Sequence, residues 1–66
     1  AAFQVFPNPT TRTLFFNKTT DVAVYDIRGK RLHVAQNVNE LDVSNLPKGM
    51  YFVQNAQGEM IQVAVQ

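Results

Sequence analysis

With 66 residues, six Lys and Arg against five Asp and Glu, one histidine and no cysteine, the chain has room for a single domain over residues 1–66, whose folding removes only about 60% of the surface exposed by the unfolded chain. So small a core leaves little to hollow out for a buried catalytic pocket, and the lack of cysteine excludes disulfides and thiolate metal sites. The formal charge of +1 lacks the basic excess of a nucleic-acid binder.

The longest apolar runs, such as Val22 to Tyr25 and Met50 to Val53, fall far short of the roughly 20 residues that span a bilayer. The chain opens Ala1-Ala2-Phe3, with neither a methionine nor the charged start and apolar core of a signal peptide. That suits an excised domain or a processed product.

Period-two alternation of β-branched and aromatic residues, punctuated by Gly, Pro, Asn and Asp, predicts strands throughout. In chain order they are Phe3 to Phe6, Thr13 to Phe16, Asp21 to Ile27, Lys30 to Ala35, Glu40 to Val43, Met50 to Gln54 and Glu59 to Val65. About seven short strands with regular turn signals predict an all-β fold, an Ig-like antiparallel β-sandwich, with a small barrel as the alternative. Leu14 with Phe16, Leu41 with Val43, and Ile61 with Val63 and Val65 form the inward sets. Asp21 to Ile27 carries apolar side chains on both faces, as a strand contacted on both sides would.

The corners follow from local chemistry. Pro7 and Pro9 lack N–H donors, so Val5-Phe6-Pro7-Asn8-Pro9-Thr10 is a stiff corner leaving the first strand. In Asp26-Ile27-Arg28-Gly29-Lys30, Gly29 supplies positive φ and Asp26 accepts from backbone N–H groups ahead of it, which predicts a hairpin. Leu46-Pro47-Lys48-Gly49 reads as a type I turn with Pro47 near φ −65°, and Asn55-Ala56-Gln57-Gly58 as a further reversal. The stretch from Leu46 to Tyr51 has the form of a tyrosine corner, in which the Tyr51 hydroxyl bonds back to upstream backbone.

Residues that carry chemistry are sparse. Asp21, Asp26, Glu40, Asp42 and Glu59 show no metal-ligand spacing and have no partner histidine nearby, so neither an enzyme, a metal site nor a cofactor is expected. Arg28, Lys30, Arg31 and His33 gather positive charge around one hairpin, a solvated turn first and a docking patch second. Asn17-Lys18-Thr19 has the glycosylation spacing, which chance often produces. Seven aromatic residues, Phe3, Phe6, Phe15, Phe16, Tyr25, Tyr51 and Phe52, raise a sugar-stacking platform as an alternative, but a core this small needs most of them inside.

Three segments in one order carry a family resemblance: Phe3 to Thr10 with its proline-asparagine-proline corner, Val24 to Lys30 with its aspartate-glycine-lysine hairpin, and Leu41 to Val53 with its leucine-glycine-tyrosine turn. Together they resemble the type A C-terminal sorting domain of type IX secretion, the Por secretion family, over essentially the whole length. The chain departs from that pattern at Thr11-Arg12-Thr13, which lacks the glycine common after the corner, and at Gln62 to Gln66, which lacks a terminal basic residue.

The resemblance implies a secretion signal of Gram-negative bacteria of the Bacteroidota group. It directs a passenger through the periplasm and across the outer membrane, for release or attachment at the cell surface. The implied partners are the outer-membrane shuttle and translocon and a surface cysteine sortase that attaches passengers to anionic lipopolysaccharide, with no small-molecule substrate and no nucleic acid. The motif positions are Pro7, Asn8, Pro9, Asp26, Gly29, Lys30, Leu46, Gly49 and Tyr51. The final strand, Ile61 with Val63, Val65 and Gln66, is expected to present a free edge to a partner sheet or to a second copy in an edge-strand dimer. The rival readings are a structural or adhesive module of fibronectin type III kind and a carbohydrate-binding module.

Overall fold

The even-numbered side chains of one long strand organise the fold. Leu14, Phe16, Thr20, Val22 and Val24 are buried along β2 (Thr13–Tyr25), since successive side chains of a strand point to opposite faces. The structure, a computed structural model, describes residues 2–66, so Ala1 lies outside the described residues. Around β2 stand β1 (Val5–Phe6), β3 (Arg31–Asp42), β4 (Gly49–Asn55) and β5 (Met60–Val65).

All four ladders are antiparallel. β3 flanks one edge of β2, and the opposite edge is shared by β1 at Phe15 and Phe16 and by β4 from Val22 to Tyr25. β5 lies beyond β4. The result is a single sheet that curls until Thr10, just after β1, meets Val65 at the end of β5 in an isolated parallel bridge.

The all-β expectation holds, but there are five strands in one curled sheet rather than seven in an Ig-like sandwich. The expected second and third strands are one strand, β2, and the fourth and fifth are one strand, β3. The polar stretches that suggested chain breaks are instead absorbed as irregularities in a continuous ladder, with register shifts between Phe15 and Thr20 and between Thr20 and Val22. Asn37 takes φ of 56°, a conformation Asn tolerates better than most residues. Its N–H donates to Asp21 Oδ1 at 2.8 Å, which ties the two irregularities together. Bulges of this kind bend a ladder and increase its twist without ending it.

The core lies inside the curl. Leu14, Val24, Val43, Val53 and Val63 are its most enclosed side chains, and Phe3 packs against Phe16 with ring centroids 5.8 Å apart. The inward sets predicted from alternation are all found on this side, with Ile61 partly buried against it. The strand expected to be contacted on both sides buries only Val22 and Val24 fully. Ala23 and Tyr25 are half-buried, and Ile27 lies outside the strand, exposed.

Candidate functional site

The Pro7–Thr10 corner does more than turn the chain. Asn8 Nδ2 donates to the Gln62 carbonyl at 3.0 Å, and the Ala64 N–H donates to Asn8 Oδ1 at 3.0 Å. A carboxamide carries one donor group and one acceptor in the same arrangement as a peptide unit, so the Asn8 side chain stands where a neighbouring strand's backbone would. Two residues on, Thr10 N–H donates to the Ala64 carbonyl at 2.9 Å, and Gln66 N–H donates to the Thr10 carbonyl at 2.8 Å. Thr10 is itself buried, its hydroxyl donating to the Thr13 carbonyl at 2.8 Å. Both X-Pro bonds of the corner, Phe6-Pro7 and Asn8-Pro9, are cis.

This strap corrects the expectation of a free edge at the final strand. The outward backbone groups of Gln62, Ala64 and Gln66 are bonded to Asn8 and Thr10, while Val63 and Val65 are buried in the core. Ile61 is half-buried, and only Gln66 among the expected terminal contacts is exposed. A long open edge among the described residues is that of β3, which, like the two-residue β1, pairs with β2 alone. Its charged side chains Arg31 and Glu40 and the bulge at Asn37 are devices that discourage edge-to-edge pairing.

The two tight hairpins share one hydrogen-bond scheme. At the first, Arg28 and Lys30 N–H groups donate to Asp26 Oδ1, each at 2.9 Å. Gly29 N–H donates to the Asp26 carbonyl and Asp26 N–H to the Lys30 carbonyl, both at 3.0 Å. At the second, Gln57 and Glu59 N–H groups donate to Asn55 Oδ1 at 3.1 and 2.8 Å, with Gly58 to Asn55 and Asn55 to Glu59 backbone bonds at 3.1 and 2.9 Å. Gly29 and Gly58 have φ of 85° and 86°, the left-handed position that closes a three-residue hairpin loop. The first hairpin makes the Asp26 bonds expected of it, and the second makes the expected reversal with Gly58 at positive φ.

The third reversal is displaced. The hydrogen-bonded turn runs from Val43 to Leu46, closed by Leu46 N–H donating to the Val43 carbonyl at 3.0 Å, rather than across Leu46 to Gly49. Leu46 is half-buried against the core, and Gly49 opens β4 opposite Val65. Tyr51 is buried with its hydroxyl donating to the Pro47 carbonyl, which is the tyrosine corner expected from the spacing. At the same corner the Ser44 hydroxyl and the Ser44 N–H, the latter at 2.8 Å, hold Asp42 below the usual carboxylate range, with Arg12 adding a smaller attraction.

Of the motif positions, then, Pro7, Asn8 and Pro9 build the strap, Asp26, Gly29 and Lys30 the first hairpin, and Leu46, Gly49 and Tyr51 the tyrosine corner. The structure does not bring them into one pocket. Three contributors escaped the sequence reading. Asn55 had a legible signal, standing three positions before Gly58 as Asp26 does before Gly29. The strap role of Thr10 had none, because its backbone partners, Ala64 and Gln66, lie at the far end of the chain. Asn17, set aside as a glycosylation triplet, fastens the start of the chain through Gln4 N–H at 3.0 Å and the Ala2 carbonyl at 2.8 Å.

Phe6 and Phe15 are exposed side chains from adjacent strands and stack on each other with centroids 6.3 Å apart. Phe16 points the other way, into the core. Among the described residues no three His, Asp or Glu side chains converge to hold a metal ion. The arrangement is a set of hydrogen-bonded corners around a small core. Residues 4–65 match the family model described as the secretion system C-terminal sorting domain. No curated protein and no solved structure matches the chain.

Proposed function

Because this chain belongs to the family of type IX secretion C-terminal sorting domains, we propose that it serves as the address on a passenger protein. It directs the passenger across the outer membrane to the cell surface or the extracellular space. The observation that carries this reading is the family match over residues 4–65. Nothing reactive is required of such a domain. Its work is to present a fixed shape, and the family's motif positions in this chain are the ones that make its corners rigid.

The passenger crosses the inner membrane first, folds in the periplasm and is then taken by the outer-membrane machinery, after which it is released or attached by a surface sortase. The shape is recognised as a whole rather than through Ile61 to Gln66 as a free strand, because an incoming strand would have to displace Asn8 and Thr10 from bonds they already make.

The test is a fluorescent passenger carrying this domain at its C-terminus, expressed in Bacteroidota cells with and without a working type IX system. Surface or extracellular fluorescence in the competent cells alone supports the address function. Periplasmic retention in both strains overturns it in favour of a structural or adhesive module.

A further inference from the structure

The twin hairpins supply an internal control. Asp26-Ile27-Arg28-Gly29-Lys30 and Asn55-Ala56-Gln57-Gly58-Glu59 make the same set of backbone and Asx hydrogen bonds, so the turn itself demands only the Asx residue and the glycine. At the position where the second hairpin carries Ala56, the first carries Ile27, which is 71% exposed. Where the second carries Gln57 and Glu59, the first carries Arg28 and Lys30, followed by Arg31. These side chains are surplus to the turn.

An isoleucine held out in water at the tip of a turn forfeits the burial that makes it favourable elsewhere. With Phe52 and Met60, the latter 50% exposed, it lines a shallow groove beside the hairpin. Asp26 Oδ1 caps its own turn, and three exposed cationic residues, Arg28, Lys30 and Arg31, follow Ile27 within the next four positions. The backbone is already fixed by four hydrogen bonds, so little ordering cost remains when something docks.

We infer that the Asp26–Arg31 hairpin is a preorganised docking knob. Ile27 inserts into an apolar pocket on a protein partner, and Arg28, Lys30 and Arg31 meet carboxylates on that pocket's rim. The inference rests on the sorting-signal reading, which makes the partner a component of the export machinery. A second copy of this chain fits poorly, because it would bring another cationic hairpin, not an acidic rim, to a symmetric contact.

The experiment uses the same fluorescent fusion with Ile27→Ala, with Arg28→Glu and Lys30→Glu together, and with Gln57→Ala as the control in the twin hairpin. The first two are expected to lower export roughly tenfold or more, the scale of a hot-spot truncation. Their melting temperatures should stay close to the parent's, since substitutions at exposed positions change stability little. Gln57→Ala should export normally. Normal export of both knob variants overturns the inference while leaving the sorting reading intact, whereas failure of the unmodified fusion to leave competent cells overturns that reading itself. If the purified fusion sediments as a dimer that Ile27→Ala converts to monomer, the occupant is a second copy and the inference is overturned.

Discussion

Asn8 and Ala64 stand 56 positions apart in the chain, yet the Ala64 N–H donates to Asn8 Oδ1 at 3.0 Å while the same carboxamide donates to the Gln62 carbonyl. One side chain thereby does the work of a neighbouring strand. Asn8→Ala should cost about 1–2 kcal/mol, the net worth of two hydrogen bonds whose backbone partners water can then reach, and should speed hydrogen exchange at the Ala64 amide. Asn8→Asp should recover part of the loss, since a carboxylate still accepts from Ala64 but has no proton for Gln62. Equal exchange at Ala64 in all three proteins would contradict the strap.

Gly29 and Gly58 make a matched pair. A Cβ at Gly29 meets nothing within 4 Å and one at Gly58 meets only Gln54 Nε2 at 4.0 Å, so the cost of alanine is that of positive φ alone, about 1–2 kcal/mol. Gly29→Ala and Gly58→Ala should therefore lose similar stability in urea titrations. A difference of more than about 1 kcal/mol would mean that the two turns are not equivalent.

Leu14 and Phe15 are neighbours on opposite faces of β2, with Leu14 fully enclosed and Phe15 42% exposed. Leu14→Ala should cost about 2–5 kcal/mol, a large part of the total for a domain whose whole stability is on the order of 0.05–0.15 kcal/mol per residue. Phe15→Ala should cost much less, the remainder of its stacking on Phe6. Circular dichroism melts of the two variants check the assignment of faces.

Tyr51→Phe removes the bond to the Pro47 carbonyl and little else. The expected loss is about 1 kcal/mol, worth roughly 4–8 °C in melting temperature for a domain of this size. An unchanged melt would show that the corner is held by the packing of Leu46 and Tyr51 alone.

Asp42 supplies the pH dependence. Its carboxyl is held below the ordinary carboxylate value by the Ser44 hydroxyl first and the Ser44 N–H second. A depressed folded-state value means a contribution fully present above the unfolded value and lost as pH falls through the folded one. Asp42→Asn should thus be less stable than the parent at neutral pH, with the gap closing below about pH 4. A gap that persists unchanged at lower pH would assign the effect to something other than that charge.

Apart from the turn displaced from Leu46–Gly49 to Val43–Leu46, the places where sequence reasoning succeeded and failed separate along one physical line. Asp26 with Gly29, Asn55 with Gly58, and Pro47 with Tyr51 each make their bonds within five consecutive residues, so the turn chemistry is written where it acts. The buried face was equally legible, because Leu14 and Phe16, Leu41 and Val43, and Val63 and Val65 obey a period set by the backbone of a single strand. The Asn17–Thr20 and Gln36–Asn39 stretches were misread as breaks. Their polarity is real, but β2 and β3 pair with each other on either side of it, and a ladder anchored at both ends carries a bulge through the middle.

The sequence by itself determined the family, the all-β class, the two hairpins and the inward side chains, all of which depend on residues close together in the chain. Only the tertiary structure decided that seven segments join into five strands and that the last strand's edge is already taken. The first depends on the β2–β3 ladder closing on both sides of its bulge, and the second on the curl of the whole sheet, which brings Asn8 and Thr10 to Gln62, Ala64 and Gln66; no local pattern records either.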